Sequence, residues 1–544
     1  MRLFIFLFFF VPATGFLQAQ LKFVVEDFEG MAEQPGDLKP NGIFTFGNAK
    51  VNVDRKMSNK RSYSGDRSLK LVRNNSLNYG GWGKGIGVNI ELDVNTDHLN
   101  FYAYQPESNN SNTIKIELQE DDNGSNVFEK DSDDSWSYLQ KMDIKGRWNL
   151  ISIPLSKFKD ENAGGDGVFN ASYKKGKLLT LIVTLENFDK TKKDQCWSFD
   201  FICLSKGPLP VGKEMFDAPG RESNDFCSLG AWSKEGNTAD FSDIGLNFES
   251  NFKSGCDKKL GVIHFFQPFA VDGGNTQNLY PSIGRVNKII EEGYIPLITL
   301  EDHFVNAHPA TKQPNLYSII EGHFDPFFKD WAKQIKQVDG IVLLRILHEF
   351  NGDWYPWCTV NNDKDPQMVI KAFKHIHSIF KKEAVSNVKF IWCPNSMSFP
   401  QESWNQIMNA YPGDEFVDYV GLDVYNGAGK DVPVWRSFRK EGIENYFILT
   451  QQLPGKPLFI CEAASRERTG SESPTAQSKA EWIKDMSDAL SSDMSKIKLL
   501  TWFNEKESFK VNSSPASQKA FLNYVMKNDY FRSGVRDISI ILGQ

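Results

Sequence analysis

The chain has 544 residues, more than one ordinary domain holds and enough for two or three. Its net charge is -7 and no basic patch stands out, which argues against nucleic acid or an anionic membrane surface as the main partner. Its 42 Phe, 13 Trp and 16 Tyr supply large cores and, where exposed, flat faces suited to stacking sugar rings.

Residues 1–19 read as a secretory signal peptide. Arg2 is followed by an unbroken apolar run, Leu3 to Val11, then Pro12 and small residues up to a cut point at Ala19. That run is too short to span a bilayer, so the expectation is an exported protein, extracellular or periplasmic, without a membrane segment. Seven Cys in so long a chain do not make a disulfide framework. Neither Cys-x-x-Cys nor metal-type histidine spacing occurs, so no metal is expected beyond the first 205 residues.

From residue 20 to 205 short alternating strands are separated by turns rich in Asn, Asp, Gly and Ser. Strands are predicted at Phe23 to Phe28, Ser68 to Val72, Leu99 to Tyr104, Thr113 to Leu118, Trp148 to Ile153, Leu178 to Thr184 and Trp197 to Cys203. No helical period interrupts them, so the expected fold is an all-β jelly-roll sandwich. Trp148-Asn-Leu-Ile-Ser-Ile-Pro154, with Asp27-Phe-Glu29 near the start and Phe199-Asp200-Phe201 near the end, resembles jelly-roll carbohydrate-binding modules. The resemblance implies a structural calcium held by Asp27, Glu29 and Asp200. The ring-stacking candidates are Trp82, Tyr102, Tyr104, Trp136 and Tyr138.

Residues 206–214, beginning Lys206-Gly-Pro-Leu-Pro-Val-Gly212, form a Pro/Gly-rich linker. From 215 to 530 apolar strands alternate with helices. The strands are expected at Ile244 to Phe248, Leu260 to Phe266, Tyr294 to Leu300, Ile341 to Leu347, Val388 to Trp392, Tyr419 to Val424, Pro457 to Ile460 and Ile497 to Phe503. Eight such strands fit a (β/α)8 TIM barrel better than an open sheet. Residues 531–544 are a C-terminal tail.

The fourth predicted strand runs into His348-Glu349, and the seventh ends in Glu462. Strands four and seven lie on opposite sides of a barrel mouth, so the two carboxylates can converge across it. Glycosidic hydrolysis needs such a pair: one carboxylic acid protonates the leaving oxygen while the other carboxylate attacks the anomeric carbon. Arg345 shares a strand face with Glu349 and, if buried, needs a carboxylate partner. Asn395 and Asp423 fall at the ends of strands five and six and are expected to support the pair. His303 and His308, after strand three, are placed to line a sugar subsite.

Four motifs in order carry a family resemblance: His348-Glu-Phe-Asn-Gly-Asp-Trp354-Tyr-Pro-Trp357, Gly421-Leu-Asp-Val-Tyr425, Pro457-Leu-Phe-Ile-Cys-Glu462 and Leu500-Thr-Trp502-Phe-Asn504. Together they resemble glycoside hydrolase family 26, chiefly β-mannanases. The resemblance implies Glu349 as acid/base and Glu462 as nucleophile of a retaining endo-β-glycanase. It implies that His348, Trp354, Trp357, Tyr425 and Trp502 bind substrate, with Tyr425 hydrogen-bonded to the nucleophile. Pro356 stands where the compared mannanases carry an aromatic, which leaves mixed-linkage β-glucan and β-1,3-xylan open beside mannan. A non-catalytic glycan-binding protein is the reading from another class. The expected partner is a polysaccharide and the expected state a monomer.

Overall fold

The computed structural model describes residues 20–28, 42–55, 67–74, 79–88, 90–109, 113–142, 145–172, 176–186, 194–209, 226–232, 242–268, 283–301, 316–427, 435–467, 478–491 and 494–532. Residues 1–19, Glu29, His303, His308, 210–214 and 533–544 lie outside the described residues.

The first part of the chain forms two antiparallel six-stranded sheets. One runs in the order Ala49–Arg55, Arg67–Asn74, Asp194–Lys206, Asp97–Tyr104 and Trp148–Pro154, with Gln20–Glu26 paired to the far half of Asp194–Lys206. The other runs Lys159–Asp160, Ser135–Lys141, Thr113–Glu120, Leu178–Glu186, Gly80–Val88 and Ile43–Gly47. Val51, Leu69, Phe101 and Phe199 of the first sheet share a core with Trp82, Ile116 and Leu181 of the second. That shared core makes the pair a sandwich. Trp82 and Tyr102 therefore offer no ring to a ligand, since both are buried.

Gly80–Val88 escapes sequence patterning because five of its nine residues are glycine. The structure supplies the reason. A Cβ on Gly83 would overlap the Phe44 ring, and one on Gly81 would lie 2.7 Å from Phe46. The neighbouring strand sets Phe44 opposite Gly83 and Phe46 opposite Gly81, a close approach only glycine permits.

The second part closes a barrel of eight parallel strands. They are β1 (Cys227–Trp232), β2 (Val262–Pro268), β3 (Ile295–Glu301), β4 (Val342–Arg345), β5 (Val388–Trp392), β6 (Tyr419–Asn426), β7 (Leu458–Ser465) and β8 (Ile497–Phe503). Each pairs with the next, and β1 pairs with both β2 and β8, so no barrel edge is left open. Val262, Leu297, Leu343, Ile391, Phe459 and Leu499 point inward and fill the lumen. Ile263, Ile298, Leu344, Phe390, Ile460 and Leu500 alternate with them and pack in the larger core outside the lumen.

The first barrel strand is a correction. Ile244 to Phe248 is not a strand: Gly245 is left-handed (φ 77°) and opens a short helix, Leu246–Glu249. Ile244 and Phe248 are both buried, one helical turn apart rather than alternating across a sheet. The real strand, Cys-Ser-Leu-Gly-Ala-Trp, is built of small residues and lacks the aliphatic run that marks a buried strand.

Sandwich and barrel meet where Gln20–Glu26 packs on the helix Phe438–Gln452. Buried Glu26 accepts from Lys440 Nζ through both oxygens at 3.0 Å and pairs with Lys84 Nζ at 2.8 Å. No helix among the described residues is long and apolar enough to cross a membrane.

Candidate active site

β4 carries Leu343 and Arg345 inward and then breaks. Leu347 (φ 49°) and Glu349 (φ 52°) both take left-handed backbone, rare for residues with a Cβ. The Glu349 amide donates to Cys393 O at 2.8 Å, which ties this turn to the end of β5. Backbone of this kind persists only where neighbouring elements hold it, and it clusters at active sites.

The Glu349 carboxylate is gripped from two sides. Asn395 Nδ2 donates to Oε1 at 2.7 Å and Trp354 Nε1 donates to Oε2 at 2.6 Å. Burial pushes this carboxyl up to about 7, with a further push from the Glu462 charge; the two donors and Arg345 act the other way. A carboxyl with that value is partly protonated at neutral pH, as an acid catalyst requires.

Glu462 stands opposite on β7. Alternation from Phe459 through Cys461 would send it outward to the helices. A bulge between Ile460 and Glu462, seen in the register with both β6 and β8, turns it into the mouth. There Arg345 Nη2 donates to Oε1 and Tyr425 Oη donates to Oε2. Arg345 spans the barrel: its Nη1 also donates to both oxygens of Asp423 at 2.7 Å and its Nε to Thr299 Oγ1 at 2.8 Å. Thr299 in turn meets His264 Nε2 at 2.8 Å. Burial, then the Arg345 charge, keeps that imidazole well below its ordinary range and therefore neutral. One fully buried guanidinium thus joins strands three, four, six and seven.

His348 is buried, and its Nε2 lies 3.1 Å from Tyr355 Oη, which donates to Glu301 Oε1 at 3.2 Å. Trp354 is 45% exposed and packs against Phe399, ring centroids 5.7 Å apart. Gly352 lets the indole settle, because a Cβ there would come within 2.6 Å of it.

Two expected platforms are not platforms. Trp502 has no exposed surface; its Nε1 donates to Phe509 O and it packs on Trp482 and Phe521. It follows Leu500 in parity, so it faces the helices, and the next residue, Phe503, takes the mouth. Trp357 is also fully buried: it stacks under Tyr355 (4.5 Å) and donates from Nε1 to His348 O at 2.7 Å. It holds the turn at His348 instead of offering a face to the mouth.

Sequence reasoning missed the opposite wall. Trp232 and Phe503 stack at 4.9 Å, with Phe266 edge-on to both. Trp232 ends β1, the misread strand, and Phe503 was hidden beside the more conspicuous Trp502. Glu301 ends β3 as Glu349 and Glu462 follow β4 and lie on β7, a signal that was readable. Of the calcium candidates in the sandwich, Asp27 and Asp200 are buried.

An eight-stranded parallel barrel with two glutamates at the C-terminal mouth, one set among an indole and an amide and one facing a guanidinium, supplies the pair of carboxyls that glycoside hydrolysis needs. Residues 302–440 match the profile of Glycosyl hydrolase family 26. Over 270 residues the chain is 28% identical to Endoglucanase H of Acetivibrio thermocellus, covering 48% of this chain and 27% of that protein. It is 24% identical over 181 residues to Mannan endo-1,4-beta-mannosidase of Bifidobacterium adolescentis (32% and 18% covered). It is 30% identical over 101 residues to Mannan endo-1,4-beta-mannosidase of Bacillus subtilis (18% and 26% covered). The chain spans less than a third of the length of each of these relatives. Over residues 302–440 the barrel thus resembles those of glycoside hydrolase family 26.

Proposed function

We propose that this protein is a secreted, retaining endo-β-glycanase that cuts internal β-1,4 bonds of a mannan-type polysaccharide. One observation carries the reading: Arg345, two inward positions before the Glu349 turn, reaches across the lumen to touch Glu462. The turn that follows Arg345 and the end of β7 therefore face the same part of the mouth. Retaining pairs sit about 5–5.5 Å apart.

The chemistry follows from the partners. Glu462 attacks the anomeric carbon while the Glu349 proton passes to the departing glycosidic oxygen, leaving a glycosyl ester on Glu462. Glu349, now a carboxylate, takes a proton from water, and the resulting oxygen nucleophile breaks that ester with retained configuration. Tyr425 and Arg345 hold the nucleophile's oxygens; Asn395 and Trp354 hold the acid. Trp354 and Phe399 on one side, with Trp232, Phe266 and Phe503 on the other, give apolar faces to pyranose rings.

Mixed-linkage β-glucan is the second reading. It is favoured by the long match to a protein named an endoglucanase and by Pro356 in the aromatic loop. The sandwich serves as a glycan-holding module. Incubation with mannan, glucomannan, lichenan and β-1,3-xylan, reading products by size, decides among them. Oligosaccharides from mannan first support the main reading, release from lichenan alone moves the assignment to glucan, and intact polymer in all four refutes the enzyme.

A further inference from the structure

The sandwich holds an acidic cluster that the barrel chemistry does not use. The loop from Asp121 to Asp134 and the segment from Glu161 to Ala171 lie side by side. Asn162 Nδ2 donates to Asp133 O at 2.6 Å, and Ser135 N donates to Asn162 Oδ1 at 2.7 Å. The contact brings Asp122, Asp134 and Asp166 together, one carboxylate oxygen from each within 4.8 Å of the others. Main-chain amides aim all three: Asp134 N donates to Asp122 Oδ2 at 2.8 Å, Gly167 N to Asp134 Oδ2 at 2.9 Å and Val168 N to Asp166 Oδ1 at 3.0 Å.

Asp134 Oδ1 is the independent sign of a ligand. Its residue is completely buried, and this oxygen has no hydrogen-bond donor. A buried acceptor left bare is costly unless something absent here satisfies it. The charges acting on Asp134 are those of Asp160 and Asp166, and on Asp122 those of Asp134, Asp166 and Asp133. Gly165 leaves space on the side the oxygens face. It is left-handed (φ +67°), and a Cβ there would overlap Asp134 Oδ1 and Asp122 Oδ2.

An all-carboxylate donor set suits a hard divalent cation. Calcium takes oxygens at about 2.3–2.6 Å, so donors on one ion lie no more than about 5 Å apart. The observed span fits that limit. We propose that Asp122, Asp134 and Asp166 bind a calcium ion that clamps the 121–134 loop to the 161–171 segment. Three carboxylates leave further positions for water and main-chain carbonyls.

The test uses the full chain, stripped with EDTA and titrated with Ca2+ by calorimetry, with Tm followed in parallel. A saturable event and a rise in Tm are expected. Asp122→Asn and Asp166→Asn should each weaken it by about tenfold or more, since affinity follows ligand charge. Asp200→Asn should leave it in place. Asp166 is exposed, so its variant keeps the test alive if Asp134→Asn fails to fold. The proposal is overturned by no saturable uptake up to about 10 mM Ca2+. Binding as tight in both Asn variants as in the parent, or Mg2+ binding as tightly as Ca2+, would overturn it equally.

Discussion

Trp354 and Glu349 are joined by a 2.6 Å hydrogen bond from the indole nitrogen to the carboxylate, five residues apart on one loop. The indole therefore leaves a partly exposed face at the mouth and holds the carboxyl behind it below the value that burial alone would give.

The tuning has a sign. Glu349 sits near 7, and donors to its charged form, Asn395 and Trp354, hold it lower than burial alone would. The active form is protonated, so kcat/KM falls on the basic side through that value. Trp354→Phe keeps the ring but removes the donor. The basic limb should move to higher pH, and Asn395→Ala should move it the same way. A limb that stays put or moves down contradicts the role of Glu349.

Arg345 is the structural hub. Replacing it with Met leaves Asp423 and Glu462 buried without their cation, and stability should fall by about 3–5 kcal/mol. Urea unfolding measures this. A loss under about 1 kcal/mol would mean the two carboxylates find other partners.

Trp502 and Trp354 should separate cleanly. Trp502→Ala empties a buried site and is expected to cost about 3–5 kcal/mol. Trp354→Ala, half exposed, should cost about 1–2 kcal/mol, mainly for the donor lost to Glu349, while raising KM for polymer. The opposite pattern would return Trp502 to the cleft.

Glu26 ties the two domains. Burial alone would raise it, but the charges of Lys440 and Lys84 outweigh burial and hold it at about 2, against an ordinary 4.5. Burial works against both lysines, and Glu26 outweighs it at Lys440 but not at Lys84. The folded value is depressed, so the stability from Glu26 is complete above about 4.5 and fades as pH falls towards 2. Glu26→Gln should destabilise by about 3 kcal/mol at pH 7, at 1.36 kcal/mol per pKa unit, and by little at the acid end. Equal losses at both ends would rule out an ionic contribution.

How legible was this in the sequence? Seven of the eight barrel strands were, because a strand buried on both faces reads as an apolar run. The first was not, since Cys-Ser-Leu-Gly-Ala carries no such run. Glu349 and Glu462 were legible as strand-end acids, yet simple alternation would have turned Glu462 outward. The β7 bulge that corrects it leaves no mark in composition. Trp502 shows the converse error: the conspicuous aromatic faces the helices and the plainer Phe503 faces the cleft. Asp122, Asp134 and Asp166 read as ordinary turn residues, because only the fold sets the two loops side by side.

The most direct measurement is trapping with a 2-deoxy-2-fluoro glycoside bearing a good leaving group, followed by peptide mass mapping. Slow hydrolysis of the fluorosugar ester should leave one glycosyl group per chain, on the peptide containing Glu462. An adduct on any other residue, or steady turnover of the reagent with no adduct at all, would contradict the paired-glutamate mechanism.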